Sequence, residues 1–168
     1  CQRGSAQIPD IFFQAREASN PYYDALPGIV QDYMDKVNEK IGTDYKLFNY
    51  YGAPDAEHVI VAMGSVNDTI EETIDYMIKT TGAKVGVVKV RLYRPFCADA
   101  LIGAIPETVK QITVLDRTKE PGAQGEPLYL DVVAALKGSK FDSVPVFTGR
   151  YGLGSKDTTP AQIVAIYG

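Results

Sequence analysis

The chain alternates between short apolar runs and longer stretches in which apolar side chains recur at helical spacing. The run at 58–64 is almost entirely apolar, which is typical of a strand buried on both faces of a sheet. Further strands are predicted at 47–51, 84–92, 111–115 and 144–147. Strands and helices that alternate at this spacing form right-handed βαβ units. The pattern predicts an α/β fold, in which a three-layer, open, doubly wound and mostly parallel sheet carries helices on both faces.

The first predicted helix begins at Pro27, because proline suits the first helical position, and it ends at Gly42. Further helices are predicted after each of the last four strands. Residues 1–25 lack clean periodicity, so we interpret them as an N-terminal interdomain arm preceding a single α/β domain at 26–168. One stripe of the first helix is expected to face the core of the domain, and it consists of Ile29, Val30, Tyr33, Met34, Val37 and Ile41.

Composition narrows the classes of function. The formal net charge is −4 and no basic block occurs, which argues against a nucleic-acid surface. No apolar stretch is long enough for a membrane span. The two cysteines, Cys1 and Cys97, stand far apart and match no metal-ligand spacing, so we expect reduced thiols and a cytoplasmic protein. The chain has no initiating Met, and we interpret Cys1 as a boundary inside a longer polypeptide.

Open α/β sheets bind ligands beyond the carboxyl ends of their strands, at a point where the strand order reverses. Ser65 and Asn67 follow the strand at 58–64 and are candidates for this rim. They open a helix whose free N–H groups suit an anion, although capping of the helix explains them more simply. The loops predicted to form the rim are 64–67, 93–97, 116–126 and 149–156.

Charged residues gather at the ends of two predicted strands. Arg91 and Arg94 lie at the end of one of them, whereas Asp116 and Arg117 lie at the end of the other. A surface salt-bridge network and an interdomain or ligand-facing role both fit these residues. The loop 116–126, which also carries Lys119, exceeds the roughly two to six residues usual for such connections. Its length suggests contact with something outside the domain.

Two other features have structural interpretations. The segment 149–156 (GRYGLGSK) approaches a phosphate-binding P-loop, but it ends in Ser-Lys, so the lysine and the magnesium-binding hydroxyl are misplaced. We expect a plain structural turn there. His58, the single histidine, has no matched nucleophile or acid in its neighbourhood of the sequence, and we expect it to be structural.

Several blocks together give a family resemblance. LDRTKEPGA at 115–123 and NYYGAPDAE at 49–57 are specific, and the match runs the whole chain. In these blocks the chain resembles the second domain of pyruvate:ferredoxin (flavodoxin) oxidoreductases, which is itself similar to the C-terminal domain of transketolases. The remaining matching segments are 3–7, 9–17, 45–48, 62–66, 90–96, 125–129 and 149–153.

The resemblance implies a non-catalytic module of a thiamine-dependent enzyme. The family converts pyruvate and CoA to acetyl-CoA and CO₂ and reduces ferredoxin or flavodoxin, using thiamine diphosphate, Mg²⁺ and [4Fe–4S] clusters. It implies other domains of the same polypeptide and the second subunit of a homodimer as partners. No catalytic or cofactor-binding residue of the family maps onto this chain, and no cofactor is expected in it. The alternative is a stand-alone α/β module that binds an anionic small molecule.

Overall fold

The computed structural model describes residue 4 and residues 6–168. Cys1, and with it the predicted boundary, lies outside the described residues, as do three further positions of the predicted arm. One turn of 3-10 helix, Leu153–Ser155, precedes the last helix. The elements are α1 (Pro9–Glu17), α2 (Asn20–Ile41), β1 (Phe48–Gly52), β2 (His58–Met63), α3 (Val66–Thr81), β3 (Val85–Val90), α4 (Ala98–Ala104), β4 (Gln111–Asp116), α5 (Pro127–Leu136), β5 (Val146–Arg150) and α6 (Pro160–Tyr167).

The strands form one mixed sheet in the order β1-β3-β2-β4-β5. β2 is parallel to both β3 and β4, and β5 is parallel to β4. β1 is antiparallel to β3, with Phe48 opposite Val90. The predicted fold class, an open and mostly parallel α/β sheet, is confirmed, and its one antiparallel strand lies at an edge.

The two faces of the sheet have separate cores because successive side chains of a strand point to opposite faces. In β2, Val59 and Val61 belong to the core beneath α4 and α5, together with Leu101 and Leu128. Ile60 of the same strand points to the other face. It packs there in the core beneath α3 and α6, which also contains Ile70, Ile74 and Ile163. All of these side chains are fully buried, so a run that is apolar without alternation has the two-sided burial predicted for it.

The predicted start of the first helix is wrong. Residues 9–17 are helical as α1, and α2 begins at Asn20 rather than at Pro27. Pro21 occupies the first turn of α2, where the missing N–H has no intrahelical partner in any case. Pro27 therefore lies inside the helix. Gly42 ends α2 in the left-handed conformation, as predicted.

The stripe predicted to bury α2 is only partly buried. Val30 and Met34 pack against the core, but Tyr33 is 64% exposed. Side-chain amides also hold α2, through hydrogen bonds to the segment between α2 and β1. The Asn38 amide accepts a hydrogen bond from the Tyr45 N–H at 2.7 Å and donates one to the Tyr45 carbonyl at 2.9 Å. Polar links of this kind leave no trace in the spacing of apolar residues. The apolar spacing alone therefore predicted more burial of α2 than the structure has.

β5 begins two residues later than predicted and extends into the glycine-rich segment. The ladder starts where the Ile112 N–H donates to the Pro145 carbonyl at 3.0 Å, and it continues to the Asp116–Arg150 pair. Gly149 sits against Leu115 on the neighbouring strand, where a Cβ would lie 2.7 Å from the Leu115 side chain. The glycine that suggested a loop is therefore required inside the strand by close packing.

Candidate site at the carboxyl edge of the sheet

The carboxyl ends of β2, β3, β4 and β5 lie at the same edge because these strands are parallel. After β2 the chain enters α3 on one face of the sheet, whereas after β4 it enters α5 on the other face. Neighbouring strands whose connections diverge in this way leave a crevice between them. The switch point of this sheet is the gap between β2 and β4.

A small pocket of about 170 Å³ lies at this crevice. Ser65 at the start of α3, Arg117 after β4 and Lys156 after β5 line it, so three of the predicted rim loops converge. Asp157 also lines the pocket and offsets part of the positive charge. The arrangement can hold a small anion on two cationic side chains and a hydroxyl group.

The capping interpretation of Ser65 and Asn67 is wrong. Ser65 is the N-cap residue of α3, but its backbone is helical (φ −67°, ψ −18°) and its side chain makes no capping hydrogen bond. Capping serines need an extended backbone to point the hydroxyl at the helix N–H groups. The Asn67 side chain is buried, and its amide donates to the Gly64 carbonyl at 3.0 Å. Asn67 thus fixes the turn that leads into α3.

Asp116 is buried and bonds to the start of α5. Its carboxylate accepts hydrogen bonds from the Leu128 N–H at 2.9 Å and from the Tyr129 N–H at 3.1 Å. Burial raises the pKa of the Asp116 carboxyl, although these two hydrogen bonds act in the opposite direction. The contacts give Asp116 a structural function, which is to fasten the first turn of α5 to the end of β4.

Glu126 organises the long loop, and the sequence analysis missed it. Its carboxylate is completely buried and accepts hydrogen bonds from the Arg150 guanidinium and from the Glu120 N–H, the latter at 2.7 Å. The hydrogen bond from Arg150 is the main reason that the pKa of the Glu126 carboxyl is lowered. Glu126 therefore closes the loop 117–126 onto the domain. Nothing in its sequence neighbourhood, a Gly before it and a Pro after it, indicates burial.

The four charged residues at the strand ends do not form one network. The Arg91 guanidinium donates to the Asn49 side chain at 2.8 Å and lies over the Tyr45 ring. The Arg94 guanidinium contacts the Asp131 carboxylate at 2.8 Å. Each arginine therefore has its own partner inside the domain, which argues against the first of the two alternatives, a single surface salt-bridge network.

The exposed side chains of the long loop include the two cations Arg117 and Lys119. The Arg117 Nε donates to the Gly152 carbonyl at 3.1 Å, which leaves the other end of the guanidinium beside the small pocket. Lys119 lies close enough to Glu126 to help lower the pKa of its carboxyl. Both side chains are accessible to a partner from outside.

The glycine-rich segment lacks the helix that a P-loop needs. After β5 the chain makes the short 3-10 turn Leu153–Ser155, with Gly152 and Gly154 in the left-handed conformation, and α6 begins only at Pro160. A P-loop cradles phosphate on the helix that follows it directly. The part of the segment after β5, residues 151–156, is a turn, in agreement with the structural interpretation.

His58 lies at the opposite edge of the sheet, at the start of β2. Its ring is within hydrogen-bond distance of the Thr113 hydroxyl (3.0 Å) and packs edge-on against Tyr167. Burial lowers the pKa of the His58 imidazole. These contacts make His58 a neutral core residue far from the crevice, as the sequence analysis expected.

Two further observations concern residues 4 and 6–168 only. In that range, no group of three or more His, Cys, Asp or Glu side chains could hold a metal ion. Over the same residues, no helix is long and apolar enough to cross a membrane.

The fold and the crevice define a doubly wound α/β domain with an open carboxyl edge. Among solved structures, 2-oxoglutarate:ferredoxin oxidoreductase from Magnetococcus marinus, with 2-oxoglutarate, coenzyme A and succinyl-CoA bound, is similar at a TM-score of 0.50 and 20% identity. The match covers 82% of this chain and 22% of that one, and it shows similarity of fold. The model of the family "Pyruvate:ferredoxin oxidoreductase core domain II" matches residues 56–163. The chain belongs to this family.

Curated relatives match almost the whole chain. Pyruvate-flavodoxin oxidoreductase of Rhodospirillum rubrum is 54% identical over 98% of this chain, and pyruvate:ferredoxin oxidoreductase of Moorella thermoacetica is 54% identical over 99% of it. Pyruvate dehydrogenase [NADP(+)] of Cryptosporidium parvum is 50% identical over 98%. The chain spans only 14%, 14% and 9% of the length of these three proteins. It corresponds to one module of much longer relatives.

Proposed function

We propose that the chain is a non-catalytic structural module of a pyruvate:ferredoxin or pyruvate:flavodoxin oxidoreductase. The complete enzyme converts pyruvate and CoA to acetyl-CoA and CO₂ and reduces ferredoxin or flavodoxin. The observation that carries this proposal is the 54% identity to such enzymes over almost the entire chain. The role of the module is to hold neighbouring domains of the same polypeptide, and the second subunit of a homodimer, in register. The enzyme acts in the cytoplasm.

The cofactors of the complete enzyme, thiamine diphosphate with Mg²⁺ and [4Fe–4S] clusters, do not fit the residues described in this chain. Cys97 is the one cysteine among residues 4 and 6–168, whereas clusters need several thiolates. The acidic side chains buried in this range, Asp116 and Glu126, are already bonded to backbone N–H groups and an arginine. We assign these cofactors, and the CoA site, to other domains.

Two parts of the module are proposed to contact the remainder of the enzyme. The first is the arm at residues 1–25, whose described part includes α1 and the exposed aromatic rings of Phe12 and Phe13. The second is the loop 117–126 with the exposed side chains Arg117 and Lys119. This loop is fixed from within by Glu126, so its outer side chains are presented from a rigid base.

The double substitution Arg117→Ala with Lys119→Ala tests the second contact. In the complete enzyme we expect lower pyruvate turnover or weaker dimerisation. In the isolated chain the free energy of unfolding should change by only about 0.5 kcal/mol, as is usual for exposed side chains. Lys137→Ala with Lys140→Ala is the matched control. Wild-type turnover and dimer stability in the complete enzyme would refute the contact.

The pocket at the crevice favours a second candidate function, an anionic-ligand module. Ser65, Arg117 and Lys156 surround a space large enough for a small anion such as inorganic phosphate. Titration of phosphate and pyrophosphate into the isolated chain, followed by the thermal midpoint, tests it. A saturable rise that is lost in Lys156→Ala would support ligand binding. No saturable rise at millimolar anion would leave the structural role as the function of this edge.

A further inference from the structure

A large groove runs along β5, on the face of the sheet that carries α3 and α6. Its volume is about 670 Å³, and Leu115, Phe147 and Gly149 form its floor. Ile163 and Ile166 of α6 form one wall. Phe147 is 52% exposed, and Leu153 at the rim is 46% exposed. The groove is therefore an apolar surface that water reaches.

The groove exists because the helical layer on this face is incomplete. α5 covers β4 and β5 on the opposite face, where Val146 packs against the core. On the groove side, α6 packs beside α3, and its Ile163 is buried against Leu115 of β4, so the helix does not extend over β5. A doubly wound sheet buries each of its faces beneath helices. Among the residues that the structure describes, no helix occupies the position beside α6 and above β5.

Several of the polar side chains around the groove are already bonded inside the domain, whereas Lys156 and Asp157 also line the small pocket at the crevice. Thr113 and Gln111 contact His58, the Gln162 side chain accepts from the Thr159 N–H at 3.0 Å, and Arg150 bonds to Glu126. A site for a polar metabolite offers several free and convergent polar groups. This groove offers mainly apolar surface. Its chemistry suits the apolar side chains of another protein element.

We propose that one amphipathic helix from another domain of the same polypeptide docks in this groove. The five residues of β5 extend over roughly 16 Å, so the helix needs about three turns, with apolar residues three and four positions apart facing Phe147. We place the occupant in the same polypeptide because this chain matches relatives over nearly its whole length but spans only 14% of theirs. Most of such a polypeptide therefore lies outside residues 1–168. The proposal rests on the proposed function, since it needs the longer enzyme.

Site-specific photo-cross-linking in the complete polypeptide tests the proposal. The photoreactive analogue p-benzoylphenylalanine is introduced in place of Phe147 and, separately, in place of Leu153 at the rim. The control carries it in place of Glu107, whose side chain is 76% exposed on the loop after α4. We expect the first two to give cross-links within one chain, mapped by mass spectrometry to a single helical segment outside residues 1–168. The control should give at least tenfold less of this product.

Three outcomes would overturn the proposal. A product of twice the chain mass would indicate a second copy, and cross-links to an extended segment would exclude a helix. The third is a folded variant that gives no cross-linked product. If both variants misfold, hydrogen exchange of the wild type decides. Peptides covering 146–153 must then exchange at least tenfold more slowly in the complete polypeptide than in the isolated chain. Pyruvate-dependent ferredoxin reduction by the wild-type polypeptide tests the proposed function separately, so an active enzyme without the cross-link refutes the helix alone.

Discussion

The sheet domain and the N-terminal helix pair are both rich in large apolar residues, yet they use them differently. β2 buries five of its six residues, whereas neither α1 nor α2 has a buried residue. Ile60 of the sheet is fully buried, while Phe13 of α1 is 67% exposed. A helix of nine residues is marginal by itself in water. The contrast shows that the sheet domain buries its apolar side chains within this chain, whereas α1 and α2 leave most of theirs exposed.

The largest difference in stability is expected between two substitutions of helical isoleucines, one buried and one exposed. Ile70→Ala removes a fully buried side chain of α3 and should lower the free energy of unfolding by about 2–5 kcal/mol. Ile29→Ala in α2, where the side chain is 47% exposed, should cost less than about 1 kcal/mol. Urea denaturation of both variants measures the difference. Equal losses would show that α2 is as firmly packed as α3, and the comparison would fail.

A smaller loss is expected where the sheet domain depends on a buried polar group. Asp116→Asn keeps the size of the side chain but replaces one accepting oxygen by an NH₂ group facing a backbone N–H of α5. Leaving that buried group without a partner should cost about 1–3 kcal/mol. Urea denaturation measures this loss of free energy of unfolding, and hydrogen exchange should locate it in the first turn of α5. A change confined to other elements would contradict the role assigned to Asp116.

The pH dependence of stability sharpens the comparison further. The folded state lowers the pKa of the Glu126 carboxyl, so the stability from Glu126 is present above its unfolded pKa and is lost as the pH falls through the folded value. Glu126→Gln should therefore flatten the acid side of the profile. Burial raises the pKa of the Asp116 carboxyl in the folded state, so its effect on the profile has the opposite sign. The stability that comes from this shift falls as the pH rises through the folded pKa.

Arg150→Met tests whether the ion pair with Arg150 causes this pH dependence. It removes the main cause of the lowered Glu126 pKa and should also flatten the acid side, whereas adding it to Glu126→Gln should change the profile little more. Because the Arg150 side chain is 45% exposed, solvent screens the pair and the effect should be smaller than that of Asp116→Asn. An unchanged acid slope in both single variants would refute the ion pair as a source of stability.

The smallest effect on stability is expected from removing most of the arm. Deletion of residues 1–19 removes α1 and leaves the hydrogen bonds of Asn38 and Gln31 that hold α2. The free energy of unfolding of the isolated chain, measured by urea denaturation, should stay within about 0.5 kcal/mol of the wild-type value. Binding of a hydrophobic dye should decrease, because the exposed rings of Phe12 and Phe13 are gone. A large loss of stability would place α1 in the domain core.

The sequence by itself determined the α/β class, the five strands and the position of the carboxyl rim, because continuous apolar runs and helix-terminating glycines depend on local chemistry. It also gave the family, through blocks such as 115–123. Only the tertiary structure decided that Pro27 lies inside a helix, that Gly149 belongs to a strand and that Glu126 is completely buried. The last two depend on partners distant in the chain, Leu115 for Gly149 and Arg150 for Glu126. Apolar spacing predicts which residues can be buried, but whether the stripe of α2 is covered depends on what packs against it, and that is a property of the assembled fold.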